Sequence, residues 1–255
     1  VTLTVSTVER RRLGLTDAGA EVHTARDDDQ GVPRFRGYAA KFNTRAAIGN
    51  PLTWGFYEQI AAGAFTDTLG RDDQRMLIDH DPYYVVSRVS AGTLHLAQDG
   101  AGLLTDSALD PALSYVGDLM ANLRNGNISG MSFGFYVEDD TWATEDVETS
   151  DGHTAEVEVR TINRVRLLEV SAVTSPAYED TDAGVRSVAS ALAHRGDRRA
   201  VEARAEHRPE LRHVLDLIGS PTDLRAPAPE PAHTGADLLD LRMRALAARW
   251  PNLTR

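Results

Sequence analysis

Three side chains in this chain are of the types that break an acyl bond when they are brought together: Ser132, His80 and Glu169. A hydroxyl is a weak nucleophile near neutral pH and needs a base within hydrogen-bond reach. An imidazole base in turn needs its second nitrogen held, so that one tautomer persists. The spacing around each residue supports that chemistry. Ser132 lies in the run from Asn127 to Val137, which alternates as an extended strand does. Met131, Phe133, Phe135 and Val137 fall on one side, and Gly130, Ser132, Gly134 and Tyr136 on the other. The first side is a core face, and the second is nearly bare around one hydroxyl. Glycine inside a strand marks a bulge, a corner or the close approach of another backbone. The run therefore reads either as a docking place over Ser132 or as a barrel corner carrying an incidental serine.

His80 closes the short apolar run Arg75-Met76-Leu77-Ile78-Asp79. Pro82 holds Asp81 away from helical backbone, so His80 sits at a strand end, where a side chain can project into a cleft. Glu169 lies in the most apolar run of the chain, Val165 to Thr174. Strict alternation puts it on one face with Val165, Leu167, Ser171 and Val173. A carboxylate in that setting needs a partner, because burying a bare charge costs several kcal/mol or more. Other readings stand beside these. His80 between Asp79 and Asp81 also fits a structural strand-end histidine, and Arg164 or Arg166 would serve Glu169 as a partner. A metal held by His80, Asp79 and Asp81 lacks the spacing of a familiar site. His95, between two leucines, reads as a half-exposed strand residue, and the remaining histidines fall in polar or helical surroundings.

The elements that must position these groups are mostly strands. Arg34 to Asn43, Val85 to Val89, Gly92 to Leu96 and Val157 to Ile162 all read as strands. Asp110-Pro111 predicts a helix start, with Asp as N-cap and Pro at the first position, and Asn125-Gly126 predicts its end. Residues 138–156 are acidic, with an Asp151-Gly152 turn, and predict a long solvated hairpin. From about Asp182 the composition changes. The organisation expected is a β domain over 1–186, a helical extension over 187–220, a Pro-rich linker over 221–235 and an amphipathic helical tail over 236–255.

Composition narrows the partners. The 255 residues carry a net charge of −11, which argues against a general nucleic-acid binder, since phosphate contacts need clustered cations. No apolar run reaches the length of a membrane span, and Val1 to Val5 lacks the layout of a secretory leader. Cysteine is absent, so the chemistry uses neither a thiolate nor a Cys-built metal site, and no cofactor is expected.

Several runs, in order, resemble the prohead proteases of tailed phages, capsid-maturation serine peptidases distantly related to the herpesvirus assemblins. They are Gly37-Tyr38-Ala39 with Phe42-Asn43, Glu58 with Gly63-Ala64-Phe65, Asp79-His80-Asp81, Gly126 through Phe135, Leu168-Glu169-Val170-Ser171 and Pro176-Ala177-Tyr178. The resemblance extends over residues 34–186. It implies a mainly β fold with flanking helices, a herpes-protease-like antiparallel β-barrel closed or nearly so. It implies Ser132 as nucleophile and His80 as base. The herpesvirus relatives use a second histidine as the third member. No histidine stands there in this chain, and Glu169 is the expected replacement, with Asp79, Asp81 or water as alternatives. The loop from Ser175 to Tyr178 and Arg186 are candidate oxyanion donors. The implied substrates are the scaffold, or a scaffold-like segment of the major capsid protein, and the protease itself, with self-association allowed. The implied place of action is the assembling procapsid in the host cytoplasm. A catalytically silent scaffold or capsid-assembly protein on the same fold is the alternative.

Overall fold

A computed structural model describes residues 8–19, 21–23, 32–174 and 182–218, with 21–23, 182 and 183 described by backbone alone. The strands are β1 (Glu9–Gly14), β2 (Glu21–His23), β3 (Arg34–Lys41), β4 (Ala46–Ile48), β5 (Phe56–Ile60), β6 (Arg75–Ile78), β7 (Asp81–Arg88), β8 (Leu94–Gln98), β9 (Gly102–Ala108), β10 (Gly130–Glu148) and β11 (Thr154–Val173). The helices are α1 (Leu15–Ala18), α2 (Thr66–Arg71), α3 (Ser114–Arg124), α4 (Asp182–Arg195), α5 (Arg198–Ala205) and α6 (His213–Leu217). A 3₁₀ turn at Pro209–Arg212 precedes α6. The linker and tail expected at 221–255 lie outside the described residues, as does the loop from Ser175 to Tyr178.

The class is mainly β with helices, as expected; the described residues form two open sheets, the larger of them mixed, and show no closed antiparallel barrel. The larger sheet runs β1-β10-β11-β5-β4, with β6 beside a second stretch of β11 and β7 beside β6. The smaller sheet runs β2-β3-β9-β8. Among the described residues no pairing closes either sheet on itself. β10 and β11 make one long hairpin of 19 and 20 residues. β11 therefore outlasts any one partner on its far side: β5 takes Val159–Ile162 and β6 takes Glu169–Ala172, both in parallel. Neither is joined to β11 by a hairpin turn, so nothing imposes antiparallel pairing.

The two sheets share one core. Phe35, Ala39 and Leu103 of the smaller sheet belong to the same buried cluster as Phe133, Phe135 and Leu167 of the larger. Each phenylalanine or leucine among them contributes roughly 1.5–3 kcal/mol when fully buried, so the inward face of β10 is fixed by packing. This agrees with the alternation of its sequence. α3 starts three residues later than expected. Asp110 accepts from the Ala112 N–H at 2.9 Å and its carbonyl from Leu113 at 3.2 Å. The aspartate thus closes a turn before the helix instead of capping it.

A second cluster lies under α4, α5 and α6. Val188, Ala191, Leu192, Val201, Leu211 and Val214 pack with Ile48, Trp54 and Phe56. Trp142, in the hairpin expected to be solvated, meets Phe56 edge-on with centroids 4.8 Å apart. The hairpin thus has a dry face that carries the helices. Residue 186, where the β domain was expected to close, lies inside α4.

Candidate active site

His80 sits in a two-residue turn between β6 and β7, where Ile78 pairs with Asp81. Asp79 and His80 have φ of 48° and 62°. Turns of this length favour such left-handed backbone because it matches the twist of the flanking strands, yet it strains residues other than glycine. Three hydrogen bonds hold it. The Asp79 N–H donates to the Ala172 carbonyl at 3.0 Å, the Thr174 N–H donates to Asp79 Oδ1 at 3.0 Å, and the His80 N–H donates to Ser171 Oγ at 3.2 Å. The turn is thereby fastened to the end of β11.

Glu169 reaches His80 through a feature that strict alternation hides. Gly134 pairs with Glu169, but the next residue, Phe135, pairs with Leu167. Leu168 is therefore an extra, bulged residue. A bulge re-aims every side chain beyond it. Val165 and Leu167 stay in the core, and past the bulge Val170 and Ala172 take over that face. Glu169 and Ser171 turn instead to the face of Ser132. This corrects the expectation that Glu169 shares a face with Val165 and Leu167.

On that face Glu169 Oε1 lies 2.7 Å from His80 Nδ1, and Glu169 Oε2 accepts from Ser171 Oγ at 2.5 Å. The carboxylate accepts, so Nδ1 carries a proton, and in the neutral ring Nε2 is the nitrogen with the lone pair. His80 Nε2 is buried and has no hydrogen-bond partner among the described residues. Arg164 and Arg166 pair with Glu138 and Asp72, not with Glu169. Asp79 is engaged with Thr174 and Asp81 with the Tyr83 N–H, so neither stands in the place of Glu169. His95 is exposed on β8, and Arg186 is exposed on α4, on the wall of a cavity.

Ser132 faces Ser171 across the β10–β11 pairing and is fully buried. Its hydroxyl donates to the Arg11 carbonyl of β1 at 2.8 Å. No hydrogen bond joins it to His80. The structure thus brings Glu169 and His80 together and puts Ser132 on the same face, with its proton turned toward β1. The bare face read beside Ser132 is also filled. A Cβ at Gly134 would lie 2.3 Å from Glu169 Oε1, and one at Gly130 would lie 3.2 Å from both the Leu13 carbonyl and Val173. The glycines make room for the carboxylate and for β1.

Two groups of residues escaped the sequence reading. Ser171 is one; its signal is a hydroxyl two residues after a carboxylate in an apolar strand. The other is a buried charge cluster behind β1. Arg160 binds Asp140 at 2.6 Å, Glu9 at 3.0 Å and Glu58 at 3.1 Å, while Arg11 binds Glu58 at 2.5 Å and Glu9 at 2.6 Å. Burial pushes the Glu9 carboxyl up, but Arg11 and Arg160 together outweigh it and leave the group below the usual carboxylate range.

Residues 20–194 match a family model described as caudovirus prohead serine protease. A curated relative, the prohead protease of Enterobacteria phage HK97, is 29% identical over 174 residues, which is 67% of this chain and 65% of that protein. The match thus spans just under two thirds of the relative's length. Among solved structures, the bacteriophage T4 capsid assembly protease is similar with a TM-score of 0.43 and 13% identity, over 68% of this chain and 99% of that one.

Proposed function

From the premise that the chain belongs to the caudovirus prohead serine protease family, we propose that it is a serine endopeptidase of procapsid maturation. The observation that carries this reading is the Glu169–His80 contact of 2.7 Å on the face of Ser132. Ser132 Oγ attacks a peptide carbonyl carbon while its proton passes to His80 Nε2. The C–N bond then breaks, and the same proton goes to the leaving amine. Water attacks the acyl ester, giving a proton to His80 that returns to Ser132 as the acid departs. Glu169 holds the Nδ1 proton and offsets the imidazolium charge, and Ser171 fixes the carboxylate. For attack, the Ser132 hydroxyl must turn from Arg11 to Nε2; catalytic hydrogen bonds often form fully only with substrate bound. The substrates on this reading are a scaffold, or a scaffold-like segment of the major capsid protein, and the protease itself, met inside the assembling procapsid.

A full-length Ser132→Ala chain is the direct test. It is expected to leave capsid precursors unprocessed, with kcat lower by about 10⁶ for peptide cleavage. Processing at the normal rate sinks the protease reading. A serine-directed fluorophosphonate is expected to label active protein at Ser132 and nowhere else. The complete burial of Ser132 favours one second reading, a silent capsid-assembly protein on this fold. A sample that is folded and assembly-competent yet never labels supports that reading.

A further inference from the structure

We propose that β1 occupies the place of the substrate's acyl half on β10, so that the preferred peptide is extended, carries a basic residue where Arg11 lies and an acidic residue two before it, and is selected by Glu58 and Arg160. The proposal rests on the serine-endopeptidase reading above.

The register makes the case. β1 runs antiparallel to β10 from Glu9 opposite Phe135 to Gly14 opposite Gly130, with Arg12 opposite Ser132. A peptide presented to a nucleophile on a strand binds in this manner, main chain to main chain, with alternate side chains in pockets. The carbonyl that receives the Ser132 hydroxyl is that of Arg11. Arg11 thus stands where the residue before a scissile bond would stand. Its guanidinium meets both oxygens of Glu58, at 2.5 and 2.8 Å, and Glu58 is buried. Glu9, two residues earlier, accepts from Arg160 at 3.0 and 3.1 Å. An acid and a base are therefore each recognised by a buried opposite charge. A peptide neutral at these positions would leave Glu58 and Arg160 paired with each other but without the second opposite charge that β1 gives each of them, and buried polar sites favour the ligand that fills them.

β1 is also an edge strand. Among the described residues it pairs with β10 alone. Its flank lines a cavity of about 630 Å³, together with Lys41, Ala46 and Ile48. The family match begins at residue 20, beyond β1. Removing the strand takes Glu9 and Arg11 away as a neutral pair, and Arg160 keeps Glu58 and Asp140. While β1 is seated, the Ser132 proton is committed to Arg11 and His80 Nε2 is left without it.

Two measurements on the full chain test this. The first is kcat/KM for peptides of the pattern Glu-x-Arg, Glu-x-Ala and Ala-x-Arg before the scissile bond. Glu-x-Arg is expected to lead each of the others by about 100-fold, with Glu58→Gln erasing the Arg-over-Ala preference. Equal cleavage of all three by the unmodified protein overturns the proposal, whatever the variant does. The second uses the absence of cysteine. Leu13→Cys with Met131→Cys joins residues directly opposite across β1 and β10. The oxidised form is expected to label with fluorophosphonate at least about tenfold more slowly than the reduced form. Equal labelling overturns the displacement of β1. The parent reading fails separately: cleavage that survives Ser132→Ala removes it, and this inference with it.

Discussion

At the scale of the residue, the proposed mechanism turns on the contact between Glu169 and His80, and two substitutions isolate it. Glu169→Gln keeps the shape but offers Nδ1 the wrong partner. By analogy with the aspartate of serine proteases, kcat is expected to fall by about 10⁴, and a loss under about tenfold removes Glu169 from the proposed mechanism. Gly134→Ala reaches the same contact from outside. Its Cβ would lie 2.3 Å from Glu169 Oε1, the far end of a flexible side chain. The carboxylate can swing aside only by giving up His80 and Ser171, so the thermal midpoint is expected to fall by several degrees, equivalent to a loss of about 1–3 kcal/mol. Peptide cleavage is expected to drop by at least about 100-fold, because the orienting carboxylate has left. Wild-type activity in Gly134→Ala refutes the assignment of Gly134 as the space for Glu169. Ser132, His80 and Glu169 were legible as residue types because each broke the pattern around it. Ser171 was not, because a serine in an apolar strand carries no sign of which neighbour its hydroxyl will find.

At the scale of the element, the bulge at Leu168 does what alternation cannot. A strand with no bulge keeps Glu169 beside Leu167, inside the core, where its charge has no partner. The extra residue turns Glu169 and Ser171 together to the face of Ser132 while Val170 and Ala172 replace Val165 and Leu167 on the opposite face. Deleting Leu168 restores simple alternation. The expected result is loss of activity to the level of Ser132→Ala. Stability is expected to fall as well, since either Glu169 enters the core or β11 slips against β6 and detaches the His80 turn. Melting and peptide cleavage measured on the same sample check both. A deletion that melts normally and still cleaves shows that the face of Glu169 is not set by the bulge. The sequence could not announce this, because Leu-Leu-Glu-Val fits a straight strand as well as a bulged one. The same limit applies to the sheet: hydrophobic pattern tells which residues are strands, but the parallel joins of β11 to β5 and β6 depend on the length of the β10–β11 hairpin.

At the scale of the whole molecule, Arg160 ties the parts together. It is fully buried on β11 and binds Glu9 of β1, Glu58 of β5 and Asp140 of β10. Its own proton is held more tightly than usual: burial works against the charge, and Glu9 and Glu58 overcome it. Composition gave no hint of this, since an arginine in an alternating strand reads as surface. Arg160→Leu leaves three carboxylates with Arg11 as the cation between them. The expected loss is about 3–5 kcal/mol, the usual cost of breaking a buried ion pair on one side. The pH dependence follows from Glu9, whose folded value lies below its ordinary 4.5. A group depressed on folding contributes stability above its unfolded value, and that contribution fades as the pH drops through the folded one. The wild-type chain is therefore expected to lose stability progressively below about pH 4.5. In Arg160→Leu the carboxylates that shared two arginines have Arg11 alone: protonation relieves their mutual repulsion, so the gap between variant and wild type is expected to narrow as the pH falls toward 4. Denaturant titrations of both proteins from pH 7 to pH 4 measure that gap. A gap that stays constant across the range means that the cluster is not what Arg160 stabilises.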